Sequence, residues 1–276
     1  MNTHEALGLL ARYTRYLQEK ELSPTTIAKY TADIQNFLEH TDATEVGKTA
    51  LLAYRDALLR AHKASTVNSY LISINQYFRW LGRERDTVKT MRIQRRVVLE
   101  NVLTRAEYER LLAQAQRTAH RRDYLLLRTL AGTGIRVSEL HAITREAAQN
   151  RTVDLFCKGK YRKIFIPEEL ACELLDYCAK QQIDSGVVFQ GKAAGTPLHT
   201  ASVWKIVKRT AARCGVPLAK AYPHSLRHLF AKTYMSKVGN IFELADILGH
   251  ASVETTRLYA RASCKETWDS INTLGL

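Results

Sequence analysis

The sequence predicts a mostly α-helical (α+β) protein. It reads as an N-terminal helical bundle, a basic linker, and a second, mainly helical domain with one small antiparallel β-sheet. Three observations predict this. Apolar residues recur at helical spacing through most of the 276 residues. One pair of alternating runs, Thr152–Cys157 and residues 161–166, flanks Lys158-Gly159 as the arms of a hairpin would. Between them in order, residues 83–100 break the helical pattern with Arg83, Arg85, Lys89, Arg92, Arg95 and Arg96. The expected boundaries are 1–82 for the bundle, 83–100 for the linker and 101–276 for the second domain with its tail helix.

Taken in order, Leu9, Leu10, Tyr13, Tyr16 and Leu17 form the first helical stripe. Ser23-Pro24 is an N-cap followed by a first-turn proline, opening a helix with Ile27, Tyr30, Ile34, Phe37 and Leu38 on one face. A shorter helix is expected from Lys48 to Arg60, and a fourth carries Val67, Tyr70, Leu71, Ile74, Tyr77, Phe78 and Leu81. Four amphipathic helices with short joints bury their stripes as a small bundle. The second domain opens at Thr104, whose spacing to Glu107 is that of a capping box. Helices run on to Leu130, and Ala131-Gly132-Thr133-Gly134 breaks them. The hairpin follows, ended by Pro167, and then a helix bearing Leu170, Leu174 and Leu175. Residues 187–189 are apolar and fit either a strand or a buried loop. The remainder reads as helices over residues 202–214, 224–236, 241–248 and 252–262.

Charge narrows the class of partner. Lys and Arg number 41 against 27 Asp and Glu, a formal net charge of +14, which suits a polyanion such as nucleic acid. The basic linker reads as a solvated connector, and it also suits contact with a phosphate backbone. The sequence contains no apolar run of roughly 18–20 residues that would span a bilayer, and its N-terminus lacks a secretory pattern. Cys157, Cys172, Cys178, Cys214 and Cys264 are scattered, odd in number and form no CxxC pair, so reduced thiols in a cytoplasm are expected, without disulfides or structural zinc.

Taken singly, the polar residues of the second domain mean little; Tyr259 is one of thirteen tyrosines, and a tyrosine on an apolar helix usually belongs to the core. Their joint order means more. Arg136 lies in Gly132-Thr133-Gly134-Ile135-Arg136-Val137-Ser138-Glu139-Leu140, and Lys158 in the hairpin turn. His224 and Arg227 lie in Pro223-His224-Ser225-Leu226-Arg227-His228, His250 in Leu248-Gly249-His250, and Tyr259 in Thr255-Thr256-Arg257-Leu258-Tyr259. This series resembles the tyrosine recombinase (phage-type integrase) family, including the Xer- and Cre-like site-specific recombinases. The resemblance covers residues 103–262, with six functional positions in the family's order. The N-terminal bundle resembles the family's core-binding, DNA-binding domain in position and helical character only.

The resemblance implies an enzyme that cleaves and rejoins duplex DNA through a 3′-phosphotyrosine intermediate on Tyr259 and a Holliday junction, without metal, cofactor or ATP. The residue chemistry suits this. Charge grows on the two equatorial phosphate oxygens during attack, and Arg136 and Arg227 each offer a permanently protonated planar fork to them. The sequence shows no acidic cluster for Mg²⁺. The Tyr259 phenol, with an ordinary pKa near about 10, needs a base or a positive field. The resemblance assigns the acid/base role to His224. Lys158 matches the family's general acid, although Cys157 stands where glycine is common and Lys160 is a competitor. His250 would hydrogen-bond the scissile phosphate, and Glu139 would buttress the site. The implied partners are a short inverted-repeat core site, a homo-tetramer exchanging the tail helix of Trp268, Ile271 and Leu274, and possible accessory DNA-bending proteins, with no membrane. The tail equally fits a helix packed on its own domain. The alternatives are a Tyr-dependent topoisomerase without synapsis and a catalytically silent DNA-binding protein.

Overall fold

The computed structural model describes residues 3–41, 46–93, 102–118, 120–157, 160–250, 252–260 and 272–273, and for residues 157, 160 and 258–260 the backbone alone. The chain divides into two compact units, Met1–Arg95 and Arg96–Leu276.

In the first unit five helices enclose a core: α1 (Thr3–Gly8), α2 (Leu10–Glu19), α3 (Pro24–His40), α4 (Lys48–Ala61) and α5 (Ala64–Trp80). The bundle therefore has a short leading helix beyond the four in the sequence reading, and the first stripe is split at Leu9. Ser23 caps α3 as expected: its Oγ accepts from the Thr26 N–H at 3.2 Å, and Pro24 needs no partner in the first turn. Tyr13, Leu17, Ile34, Phe37, Leu71, Ile74 and Phe78 are buried, and each such side chain contributes about 1.5–3 kcal/mol relative to exposure. Tyr77 is buried too and spends its hydroxyl on the Ala6 carbonyl at 2.7 Å, pinning α1 to α5.

The start of the basic segment is built onto this bundle. After a 3-10 turn at Glu84–Asp86, the chain runs extended along α5. Asn75 donates to the Val88 carbonyl (2.8 Å) and accepts from the Val88 N–H (2.9 Å). Asn68 does the same with Met91, both bonds 2.8 Å. The spacing explains the fit. Seven helical residues rise about 10.5 Å, and three extended residues span about 10 Å. Val88, held in the first clasp, is buried.

The second unit comprises α6 (Arg105–Gln116), α7 (Arg121–Thr133), a 3-10 turn (Val137–Ala142), α8 (Arg145–Asn150), β1 (Thr152–Cys157), β2 (Lys160–Phe165), α9 (Glu168–Lys180), α10 (Thr200–Arg213), α11 (Pro223–Lys237), α12 (Ile241–Leu248) and α13 (Val253–Ala260). The Thr104 capping box of α6 is complete in both directions. Residues 187–189 form a buried loop with one bridge, Thr144 to Val187. β1 and β2 pair antiparallel from Thr152 opposite Phe165 to Cys157 opposite Lys160. Val153, Leu155, Arg162 and Ile164 are buried, while Phe156, Tyr161 and Phe165 are exposed. Strand alternation thus delivers a charged residue, Arg162, to the inner face. Trp268, Ile271 and Leu274, and with them the tail helix, lie outside the described residues.

Candidate active site

The site is assembled from the end of α7, the inner face of the hairpin, α11 and the α12–α13 junction. α7 ends at Gly134, whose φ of +63° is the left-handed conformation that favours glycine. The space is restricted as well: a Cβ there would lie 2.6 Å from Phe230 Cδ1 and 3.1 Å from Leu248 Cδ2. That abrupt stop puts Arg136 two residues on, at the mouth of the 3-10 turn. Glu139 fixes it, accepting from the Arg136 backbone N–H at 3.0 Å and from Nη1 at 2.9 Å. Arg136 Nη2 donates to the Gly249 carbonyl at 2.9 Å.

Arg227 sits on α11, whose first residue is Pro223. It is only 1% exposed, the largest fully buried side chain described. Burying a guanidinium is costly unless it is hydrogen-bonded. Here Nη1 donates to the Gly134 carbonyl at 2.6 Å and Nη2 to the Leu248 carbonyl. Nη2 also lies 3.3 Å from His250 Nε2. A guanidinium has donors only, so that contact requires Nε2 to accept. The His250 proton then sits on Nδ1 and points at Thr256 Oγ, 2.7 Å away and itself buried.

The histidines share one electrostatic cause. The His224 pKa is lowered, by burial first and then by Arg227 and Arg136. His250 is pushed down to about 4 by burial, with Arg227, Arg136, His224 and Arg162 adding to it. His228 is also pushed down to about 4, by burial and then by His224, whose ring meets it edge to face at 4.4 Å. All three are held neutral at pH 7, and the Nε2 lone pair of His250 is already engaged by Arg227. A cleft of about 1100 Å³ opens beside His250, bounded by Arg136, Glu139, Arg162 and the outer hairpin residues Phe156, Tyr161 and Phe165.

Of the residues singled out from sequence, Arg136 bonds to Glu139 and Arg227 to His250, the two pairs meeting at the Leu248 and Gly249 carbonyls, and His224 lies one turn before Arg227 on α11. Tyr259 is on α13, which packs against α11 and α12; its side chain is outside the described residues, as is Lys158 altogether. Sequence reasoning did not single out Arg162, Thr256 or the carbonyls of residues 247–249. The available signal for Arg162 was a charge on the apolar face of an alternating strand.

A two-unit helical chain whose second unit sets two arginines and a histidine around one helix end has the architecture of a tyrosine site-specific recombinase. The Phage integrase family model matches residues 101–266, and the model of the phage integrase N-terminal SAM-like domain matches residues 10–85. Tyrosine recombinase XerC of Methylobacterium sp. is 30% identical, with 92% of this chain and 87% of that protein covered. Tyrosine recombinase XerA of Pyrococcus furiosus is 28% identical over 97% of this chain and 94% of its own length. Among solved structures, XerH bound to palindromic difH in a post-cleavage complex has a TM-score of 0.76 at 19% identity, covering 98% of this chain and 85% of that one. A lambda integrase (75–356) dimer bound to a COC′ core site also has a TM-score of 0.76, at 18% identity, covering 96% and 98%. The chain belongs to the phage integrase family.

Proposed function

We propose that the chain cuts and rejoins duplex DNA at a specific site through a 3′-phosphotyrosine link to Tyr259, without metal, cofactor or ATP. The observation that carries this reading is the convergence of two guanidiniums. Arg136 and Arg227 donate to the carbonyls of consecutive residues, Gly249 and Leu248, immediately before His250. A phosphate entering there meets two preorganised forks, and removing one such donor costs about 3 kcal/mol of barrier, or 10²–10³ in rate.

The Tyr259 oxygen attacks phosphorus and its proton passes to His224, which is neutral and able to take it. The P–O5′ bond breaks, and Lys158 gives the departing oxygen its proton. His250 contacts the scissile phosphate and Glu139 holds Arg136. A 5′-hydroxyl from a partner strand reverses the step, because the phosphotyrosyl ester retains the bond energy. Two such rounds pass through a Holliday junction. The working assembly is a homo-tetramer on short inverted-repeat core sites in the cytoplasm, with the tail helix exchanged between protomers and DNA-bending proteins as accessories. With a net charge of +14, we expect DNA affinity to fall steeply between roughly 50 and 200 mM salt.

Covalent trapping tests the reading. Wild-type protein and Tyr259→Phe are incubated in EDTA with nicked suicide substrates drawn from the DNA flanking the gene, then resolved on denaturing gels. The expected result is an EDTA-resistant adduct that requires Tyr259. A folded protein that binds these substrates and leaves no adduct would point to a silent binding protein. An adduct here, together with relaxation of a supercoiled plasmid carrying the same site and no strand exchange between sites, would point to a topoisomerase.

A further inference from the structure

We propose that Arg162 is a positioning residue for strand cleavage, acting through Glu139 and the α12 end to set Arg136 and His250 on the phosphate. This rests on the recombinase reading above.

Three segments meet at this side chain. From the inner face of β2, Arg162 Nη2 donates to Glu139 Oε2, the same oxygen that accepts the Arg136 backbone N–H. The other Glu139 oxygen holds the Arg136 guanidinium, so one carboxylate is shared by two arginines. Arg162 Nη1 donates to the Leu248 carbonyl and, at 3.2 Å, to that of Ile247. Leu248 also accepts from Arg227, and the next carbonyl, Gly249, accepts from Arg136. Three guanidiniums therefore hold the C-terminal carbonyls of α12, where the helix dipole is negative. Arg162 is 9% exposed and is tied to both of the others, to Arg136 through Glu139 and to Arg227 through the Leu248 carbonyl.

The backbone is shaped to admit it. Gly249 has a φ of +60°, and a Cβ there would lie 2.5 Å from Arg162 Cδ and 3.1 Å from Nη1. The arginine stem lies flat against the residue preceding His250. A planar fork can reach a carboxylate on one edge and helix carbonyls on another at the same time. An ammonium is a single point and cannot hold both in that geometry. Arg162→Lys therefore keeps the charge beside Glu139 but loses half of the bridge.

The experiment compares wild type, Arg162→Lys and Arg162→Met in single-turnover cleavage of a suicide substrate under saturating protein. Each is run on the natural phosphodiester and on the same site with a methylphosphonate at the scissile position, which lacks the charge that the arginines stabilise. Folding is checked by circular dichroism and DNA binding by gel shift. Misplacement of a catalytic constellation by about 1 Å costs on the order of 10²-fold. We expect roughly that loss for Arg162→Met and about 10-fold for Arg162→Lys on the phosphodiester. On the methylphosphonate, variant and wild-type rates should converge to within about threefold. Lys alone carries the comparison if Met does not fold. Folded variants that cleave the phosphodiester at the wild-type rate overturn the proposal, as does an equal loss on both substrates, which marks a purely structural role. No Tyr259-dependent adduct from the wild type would overturn the recombination reading and this inference with it; a wild-type adduct with unaltered variants overturns this inference alone.

Discussion

Gly134→Ala separates two costs that are usually confounded, because the second unit supplies a matched control. Gly134 and Gly215 have nearly the same left-handed backbone, φ +63° and +66°. At Gly215 nothing lies within 4 Å of a built Cβ, whereas at Gly134 the new atom meets Phe230 at 2.6 and 3.0 Å and Leu248 at 3.1 Å. Alanine in the left-handed region costs about 1–2 kcal/mol at either position. Overpacking against a fixed ring adds about 1–3 kcal/mol at Gly134 only. We therefore expect Gly215→Ala to destabilise the second unit by ~1.5 kcal/mol and Gly134→Ala by ~3.5 kcal/mol. Equilibrium urea unfolding reads the difference; for a slope near 2 kcal/mol per molar urea, the two midpoints differ by about 1 M. Gly134→Ala should also slow cleavage beyond its effect on stability, since the Gly134 carbonyl accepts from Arg227 Nη1. Equal midpoints for the two variants would refute the argument that close approach, rather than backbone conformation alone, requires glycine at the end of α7.

Three further outcomes are expected. Thr256→Val removes the partner of His250 Nδ1 while preserving side-chain shape, so single-turnover cleavage should drop about 10-fold, the weight of one hydrogen bond near 1.4 kcal/mol, with DNA affinity unchanged by gel shift. His228 and His250 have folded-state pKa values near 4, below the ordinary value of 6.5. The unfolded chain therefore binds more protons between these limits, and stability that is full above pH 6.5 should be lost as pH falls toward 4; urea midpoints across that window check the sign, and His228→Gln should flatten the slope. Asn75→Ala removes both bonds to Val88, so trypsin should cut after Lys89 or Arg92 on the order of 10-fold faster, with the remainder of the bundle still protected.

Local chemistry made much of the fold legible. Ser23-Pro24 and Thr104 with Glu107 cap helices as their side chains dictate, and Gly134 and Gly249 stop them where a left-handed residue is needed. What escaped the sequence depends on contacts between distant segments. Residues 84–93 read as solvated chain because their charges face outward, yet Val88 and Met91 are clasped by asparagines 13 and 23 residues earlier. Nothing local to either partner announces that pairing. In the site, Arg136, His224, Arg227 and His250 stood out through their order; Arg136 and Arg227 bond to the α12 end beside His250, and His224 lies one turn before Arg227 on α11. Arg162 does not stand out in the sequence, where it lies among the hairpin lysines. Its role emerges once β2 is paired in register and Glu139 is seen to have two arginines to satisfy.

The acceptors that orient Arg136, Arg162 and Arg227 at α12 are main-chain oxygens. No side-chain replacement can delete those oxygens, so substitutions along α12 that keep the helix leave them in place. A change of length is different. One residue inserted in α12 turns its end by about 100° and advances it 1.5 Å, which would present the wrong carbonyls to all three guanidiniums together. Across descendants of this sequence, the positions of α12 other than buried Leu244, Ala245 and Leu248 should therefore drift in composition, while the residue count from Asn240 to His250 holds.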